Sequence, residues 1–287
     1  GKELMAAGFN ISWLPYPTDH PSGKGDGLTD LGMHIEGPVA QPALADFDDE
    51  WQGSHQLVCS DLKVGDESDR WKRSCEWMTG AVSHIPEVLR YQPAEENSTA
   101  FALYRTDVYK EADHAYEAAL ASAENSIDAI HVNFSAEIIC MLNLIAPDTC
   151  TYDDNALPWM RAMVDAVENN HVHVRVIVEN ANSNGLENRV GIDMLESELA
   201  NVGLSDLVEV RFFNGRVHMK TALIDQNFLI VGSQNFHYSS FSPGGLLEFV
   251  AATDSETAIQ EYETMFNYYW DQAIPAEDAV WGTSGGE

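Results

Sequence analysis

The run His218-Met219-Lys220-Thr221-Ala222-Leu223-Ile224-Asp225 has the spacing H-x-K-x-x-x-x-D, and Gly232-Ser233-Gln234-Asn235 follows as G-S-x-N. Both lie across apolar, strand-like runs, an arrangement that gathers an imidazole, an ammonium and a carboxamide at one place. Such a set suits attack on a phosphate ester. The imidazole attacks phosphorus or moves a proton, and the ammonium and carboxamide stabilise the charge that develops.

The elements that must position these groups are legible from about residue 100 onward. Helical periodicity covers Ala112 to Ala123, Pro158 to Asn169, Ile192 to Val202 and Glu256 to Trp270. Apolar strand patterns cover Ile127 to Phe134, Val172 to Val178, Leu207 to Phe213, Val217 to Ile224, Phe228 to Gly232 and Leu246 to Thr253. This alternation predicts an α/β layered domain around a largely buried sheet. The first hundred residues differ. Glu3 to Ala7 and Met33 to Ile35 read as strands and Ala40 to Trp51 as a helix. Tyr16 to Gly27 reads as a Pro- and Gly-rich loop, and Gln52 to Asp69 as irregular.

An internal repeat accounts for this region. Counting from an Asp imagined just before Gly1, Ala7-Gly8-Phe9-Asn10 falls in the register of Gly232-Ser233-Gln234-Asn235 after Asp225. Asp30 then leads a short apolar strand, as Glu248 does. A helix follows each, ending in Phe-x-x-x-Trp at Phe47 and Trp51 and at Phe266 and Trp270. The chain therefore reads as one full repeat, residues 100–287, preceded by the C-terminal tail of a first repeat and a linker, residues 1–99.

A length of 287 residues allows a sizeable core in one large or two smaller domains, and 45% hydrophobic content is ordinary for a globular chain. No apolar run approaches the roughly 18 to 20 residues of a membrane span. The net charge of -31 argues against a nucleic-acid partner, which needs clustered Lys and Arg, and against a strongly anionic membrane. A zwitterionic or small substrate fits better, and solubility of a secreted or salt-adapted protein also accounts for the charge. Four cysteines allow three pairings. Pairing Cys59 with Cys75 and Cys140 with Cys150 closes two loops and implies an oxidising compartment, secreted or periplasmic. Four buried free thiols are the alternative.

These residues resemble the phospholipase D superfamily, whose members carry two HKD motifs in two similar halves. His218, Lys220, Asp225, Gly232, Ser233 and Asn235 match the second motif, and Asp30 through Gly37-Pro38 matches the segment after the first. The first His, Lys and Asp are absent. The resemblance implies an α-β-α layered sandwich in two facing halves, each giving His, Lys and Asn to one phosphate site. It implies a phosphohistidine intermediate, with the first-half His as nucleophile and His218 as general acid, then base. Lys220, Asn235 and Asn10 are expected on the non-bridging oxygens. Glu248 is expected to orient His218, and Asp30 the missing His. Asp225 is expected to play a structural part, and Ser233 to shape or support the phosphate site.

The expected substrate is a phosphatidylcholine-like phospholipid at a zwitterionic membrane or micelle surface. A nuclease of the same superfamily and an inactive one-motif binding module are the alternatives. No cofactor is required on this reading, and calcium is allowed but not indicated. The first motif is expected on a second polypeptide, released from a precursor cut just before Gly1, with pairing of two copies as the alternative. Trp13, Tyr16, Phe236 and Tyr238 are candidates for the mouth of the site, with packing an equal alternative. His171 and His173, despite H-x-H spacing, read as structural. Asp46, Asp48, Asp49 and Glu50 read as a solvated helix face.

Overall fold

Strand Lys220–Ile224, buried along its whole length, sits near the middle of an eight-stranded sheet. The computed structural model describes residues 3–10, 16–59, 75–78, 98–144 and 150–280. In chain order the strands are β1 (Glu3–Ala7), β2 (Gly32–Glu36), β3 (Gln56–Cys59), β4 (Cys75–Met78), β5 (Ala100–Arg105), β6 (Ser126–His131), β7 (His173–Glu179), β8 (Val208–Phe213), β9 (Lys220–Ile224), β10 (Phe228–Gly232), β11 (Glu248–Thr253) and β12 (Ile274–Pro275). The helices are α1 (Ala40–Gly53), α2 (Glu111–Ala121), α3 (Tyr152–Asn155), α4 (Pro158–Asn170), α5 (Asn182–Asn201), α6 (Tyr238–Phe241) and α7 (Glu256–Gln272).

The large sheet runs β12-β8-β7-β6-β9-β10-β11-β5. Strands β6, β7 and β8 are parallel, while β9, β10, β11 and β5 continue antiparallel. The fold is thus mixed α/β, with helices covering both faces. Alternation along β9 decides which layer each side chain meets. Ala222 and Ile224 join the core shared with Tyr116 of α2, Trp159 of α4 and Leu195 of α5. Thr221 points the other way and bonds Tyr262 of α7 at 2.9 Å. On that second face Arg175 grips Asp128 through two hydrogen bonds of 2.7 and 2.6 Å and lies over the rings of Phe266 and Trp270.

Most elements start and stop where local chemistry dictates. Pro158 occupies the first turn of α4, where a missing N–H costs nothing. His171 caps the same helix with φ of 57°, so it is a left-handed stop and not a strand residue. His173 opens β7. Helix α5 begins at Asn182, ten residues before the periodicity signals it. Asn188 explains why: it accepts from Phe134 N–H at 2.7 Å and donates to the carbonyls of Val132 and Glu179 at 3.0 and 2.9 Å. One buried carboxamide thereby ties the exits of β6 and β7 to the helix. Strand β5 and the pair β3 and β4 are additions to the expected elements.

The chain divides into two compact units, Gly1–Leu4 with Ile35–Glu95 and Met5–His34 with Glu96–Glu287. The smaller holds α1 and the antiparallel pair β3 and β4, in which Cys59 stands opposite Cys75. The stretch Gln52 to Asp69, expected to be irregular, holds the end of α1 and β3, and residues 60–69, like the side chains of Cys59 and Cys75, lie outside the described residues. Cys140 and Cys150 form the expected disulfide. The Phe-x-x-x-Trp pairs share a geometry: the Phe47 and Trp51 rings stack at 5.8 Å in α1, and those of Phe266 and Trp270 at 5.7 Å in α7.

Candidate active site

His218 lies just before β9, where the segment around Thr29 runs parallel beside it. Thr29 bridges Val217, His218 N–H donates to the Thr29 carbonyl at 2.8 Å, and Thr29 N–H donates to Arg216 at 3.0 Å. The zipper sets Asp30 against the imidazole, with Nδ1 2.8 Å from Asp30 Oδ2. Lys220 Nζ is 2.6 Å from the same Nδ1, and it also donates to the carbonyls of His218 and, at 3.4 Å, Gly8. Nδ1 cannot donate to a carboxylate and accept from an ammonium at once. Ionised Asp30 has only acceptors, so Nδ1–H belongs to it, and the Lys220 protons go to the two carbonyls. That tautomer leaves Nε2 as the reactive nitrogen, and no hydrogen bond engages it among the described residues.

This arrangement corrects one expectation. Asp30, not Glu248, orients His218. Register within the repeat gives the place of each carboxylate along the chain, but not the imidazole it faces.

Glu248 has a different anchorage. Ser233 Oγ donates to Oε2 at 2.5 Å and Ser240 Oγ to Oε1 at 2.6 Å, while Phe249 N–H donates to Ser233 Oγ at 3.0 Å. Ser233 therefore supports a carboxylate. Burial pushes the Glu248 carboxyl above its ordinary value, against the two hydroxyls and the charges of Lys220 and Arg105. Lys220 is 2% exposed, and burial lowers its ammonium to about 8, with Asp30, Glu248 and Glu179 resisting the fall.

Close backbone approach makes the site compact. An added Cβ at Gly8 would lie 2.9 Å from both Asp30 Oδ1 and Lys220 Cδ, and one at Gly232 would lie 2.5 Å from the Phe249 carbonyl oxygen. Both positions exclude a side chain.

Asn235 is half-buried, and its Oδ1 is buried with no hydrogen-bond partner among the described residues. Its neighbours fix it. Phe236 is sandwiched between Trp159 at 4.4 Å and His131 at 3.7 Å, and its N–H donates to His131 Nδ1 at 3.3 Å. Burial and then the Lys220 charge push the His131 imidazole well below its usual range, so it stays neutral. Gln234 donates to Asp113 at 2.5 Å; Arg105, fully buried, also donates to Asp113 and to the carbonyls of Leu246 and Ser242. The loop before Glu248 and the loop after Ser233 thus share one support.

Asn10 is exposed two residues past Gly8, and among the described residues no hydrogen bond holds its amide. Asp225 lies at the far end of β9 from His218. Its carboxylate accepts from the backbone N–H groups of Glu124, Asn125 and Ser126 at 2.9, 2.6 and 2.9 Å. It joins the β9–β10 turn to the start of β6 and takes no part in the site. Phe236 is wholly buried and packs beneath the motif, so it does not line a mouth. Tyr16 is exposed and stacks on His20, and Trp13 lies outside the described residues. Among the described residues, no group of three or more His, Cys, Asp or Glu is placed to hold a metal ion. Ser240, Arg105, Asp113 and His131 carry no motif signature: Asp113 and His131 meet Gln234 and Phe236 from more than a hundred residues away, and Ser240 and Arg105 bond partners eight residues off at no motif spacing.

A family profile described as cardiolipin synthase, PLD-like domain, matches residues 116–270, more than half of the chain. The chain belongs to the phospholipase D superfamily. The solved structures similar to this phospholipase D-like chain include a phospholipase D family member, Nuc from Salmonella typhimurium. That match has 18% identity and a TM-score of 0.45 over 62% of this chain and 98% of the other. NucT from Helicobacter pylori matches at 15% identity and a TM-score of 0.44, over 62% of this chain and 99% of the other. The phosphatidylserine synthase of Haemophilus influenzae Rd KW20 matches at 11% identity and a TM-score of 0.48, over 65% of this chain and 43% of the other. No curated protein sequence matches the chain.

Proposed function

We propose that His218, Lys220 and Asn235 serve a phospholipase D-type active site that cleaves the distal phosphodiester of phosphatidylcholine-like lipids. The observation that carries the reading is the His218 imidazole. Its Nδ1 is committed to Asp30, a buried ammonium adjoins it, and Nε2 is left to react.

The reaction takes two imidazoles. The first-motif His attacks phosphorus. The bond from phosphorus to the head-group oxygen breaks, and His218, doubly protonated at this stage, gives its Nε2 proton to that oxygen while Nδ1–H stays hydrogen-bonded to Asp30. Water then attacks phosphorus and yields a proton to His218 Nε2. The phosphorus–nitrogen bond breaks, releasing phosphatidic acid and restoring the nucleophile. An acceptor alcohol in place of water exchanges the head group. Lys220, Asn235 and Asn10 hold the non-bridging oxygens as charge builds. Glu248, set by two serine hydroxyls, orients the first-motif His as Asp30 orients His218. The net charge of -31 supports a zwitterionic substrate over nucleic acid, and the disulfide supports a secreted or periplasmic setting.

The test compares choline release from phosphatidylcholine with cleavage of single-stranded DNA, each with and without His218→Ala. Choline release that drops about 10²- to 10⁴-fold in the variant is expected for a lost acid–base group. Cleavage of DNA without lipid cleavage would favour a nuclease, and full activity in the variant would remove His218 from the site.

A further inference from the structure

The 3₁₀ segment Ile138–Leu144 presents aliphatic side chains to solvent next to the site. Ile138, Ile139 and Leu142 are 56%, 48% and 45% exposed. Residues three apart lie on one line of such a helix, so Ile139 and Leu142 share an edge. The segment carries no charge, in a chain whose net charge is -31.

Its exposure is built in. Cys140 is buried, joined by its disulfide to Cys150, and packed with Val190 of α5, Met141 and Met194. Glu137 N–H donates to the Asn155 carbonyl at 3.1 Å. One side of the turn is thereby anchored while Ile138, Ile139 and Leu142 stand outward.

Its position ties it to the reaction centre. Beyond β6, whose last residue His131 faces Lys220 across the sheet, Phe134 bridges Phe236 and Ser135 N–H donates to the Phe236 carbonyl at 2.8 Å. Ile138 and Glu137 then line a small cavity with Tyr238, three residues after Asn235. A second apolar pair, Leu246 and Leu247, is 55% and 54% exposed directly before Glu248. Leu246 is fixed through its backbone: its N–H donates to Ser239 and its carbonyl accepts from Arg105.

We infer that Ile138, Ile139 and Leu142, aided by Leu246 and Leu247, dock this chain on the surface of a zwitterionic phospholipid aggregate. The inference deepens the phospholipid reading above and rests on it. Charge complementarity selects the occupant. An uncharged apolar edge on a strongly acidic protein is repelled by an anionic bilayer and gains from insertion below neutral head groups. The disulfide anchors the turn at buried Cys140 while Ile138, Ile139 and Leu142 are exposed. The site then faces the layer that holds its substrate.

Flotation of the full chain with phosphatidylcholine vesicles tests this. The chain is expected to float with them, and less with phosphatidylglycerol vesicles. The triple variant Ile138→Ser, Ile139→Ser, Leu142→Ser is expected to lose vesicle binding about tenfold or more while its melting temperature holds. Ile139→Asp, a single exposed change, is expected to weaken binding in the same direction. Cleavage of monomeric dihexanoyl-phosphatidylcholine by the enzyme holding both motifs reads the chemistry separately and is expected to be unchanged in both variants. Flotation that is absent in the parent, undiminished in the variants or stronger on the anionic vesicles overturns the inference. So does a variant that floats normally but loses a polypeptide partner. Lost flotation with no cleavage of any choline lipid by the parent supports docking and sinks the hydrolytic reading instead.

Discussion

At the scale of single residues, Lys220 is the group whose environment makes the sharpest demand. Burial brings its ammonium down to about 8, and the carboxylates of Asp30, Glu248 and Glu179 keep it from falling further. In the proposed mechanism its cation opposes charge on a phosphate oxygen, so activity should fall along an alkaline limb centred near that value. Glu248→Gln removes one of the restraining charges, and the limb should move to lower pH; kcat/KM profiles of the two proteins measure it. A limb that stays put would separate Lys220 from the reacting charge. Stability should run the other way. With the folded value near 8 and the ordinary value 10.5, the unfolded chain binds more protons between them, so stability rises with pH across that window. Thermal melts from pH 8 to 10.5 check the sign. The residues of this cluster were readable in the sequence because H-x-K and G-S-x-N bring them together by local spacing alone. The exchange between Asp30 and Glu248 was not readable, because it depends on residue 30 crossing to residue 218 through one parallel bridge.

At the scale of elements, Asp225 shows how a residue of the H-x-K-x-x-x-x-D run can stand at the opposite end of β9 from His218. Positive φ at Asp225 and Gln226 makes the β9–β10 turn, and the carboxylate collects three backbone N–H groups at the entry to β6. Burial would raise that carboxyl, but the hydrogen bonds prevail and hold it below its ordinary value. Its stabilisation is therefore complete above the usual carboxylate range and disappears as pH falls through the lowered value. Asp225→Ala should cost about 1.5–3 kcal/mol, the worth of hydrogen bonds to a charged group, and lower the melting temperature by several degrees. Activity per folded molecule should be kept. A variant that melts normally but is inactive would return Asp225 to the site. The sequence told the strands around this turn correctly, since alternating or continuous apolar runs report burial. It did not tell the start of α5, where Asn182-Ser183-Asn184-Gly185 has the composition of a loop and long-range bonds through Asn188 decide for helix. The Arg105, Asp113 and Gln234 network was hidden for the same reason: Gln234 stands more than a hundred residues from Arg105 and Asp113 and meets Asp113 only in the core.

At the scale of the whole molecule, the proposed chemistry needs a second imidazole, and the described histidines nearest the site are already committed. His131 is buried, neutral and stacked on Phe236, and His237 bonds Glu187 at 2.9 Å and Ser239 at 2.6 Å. Glu248, by contrast, is held rigidly by two hydroxyls, which suits a carboxylate that must orient a ring. The proposal is that the first H-x-K-x-x-x-x-D motif brings that ring to Glu248. Protein holding both motifs should then release choline with a specific activity independent of its concentration. A second copy of this chain would behave differently: two His218 rings would meet, and specific activity would rise with concentration. That rise would overturn the first-motif proposal and would leave Asn10 and Asp30 as repeat remnants of which, among the described residues, only Asp30 has a partner. Activity that survives loss of the first-motif His would overturn the two-imidazole mechanism itself.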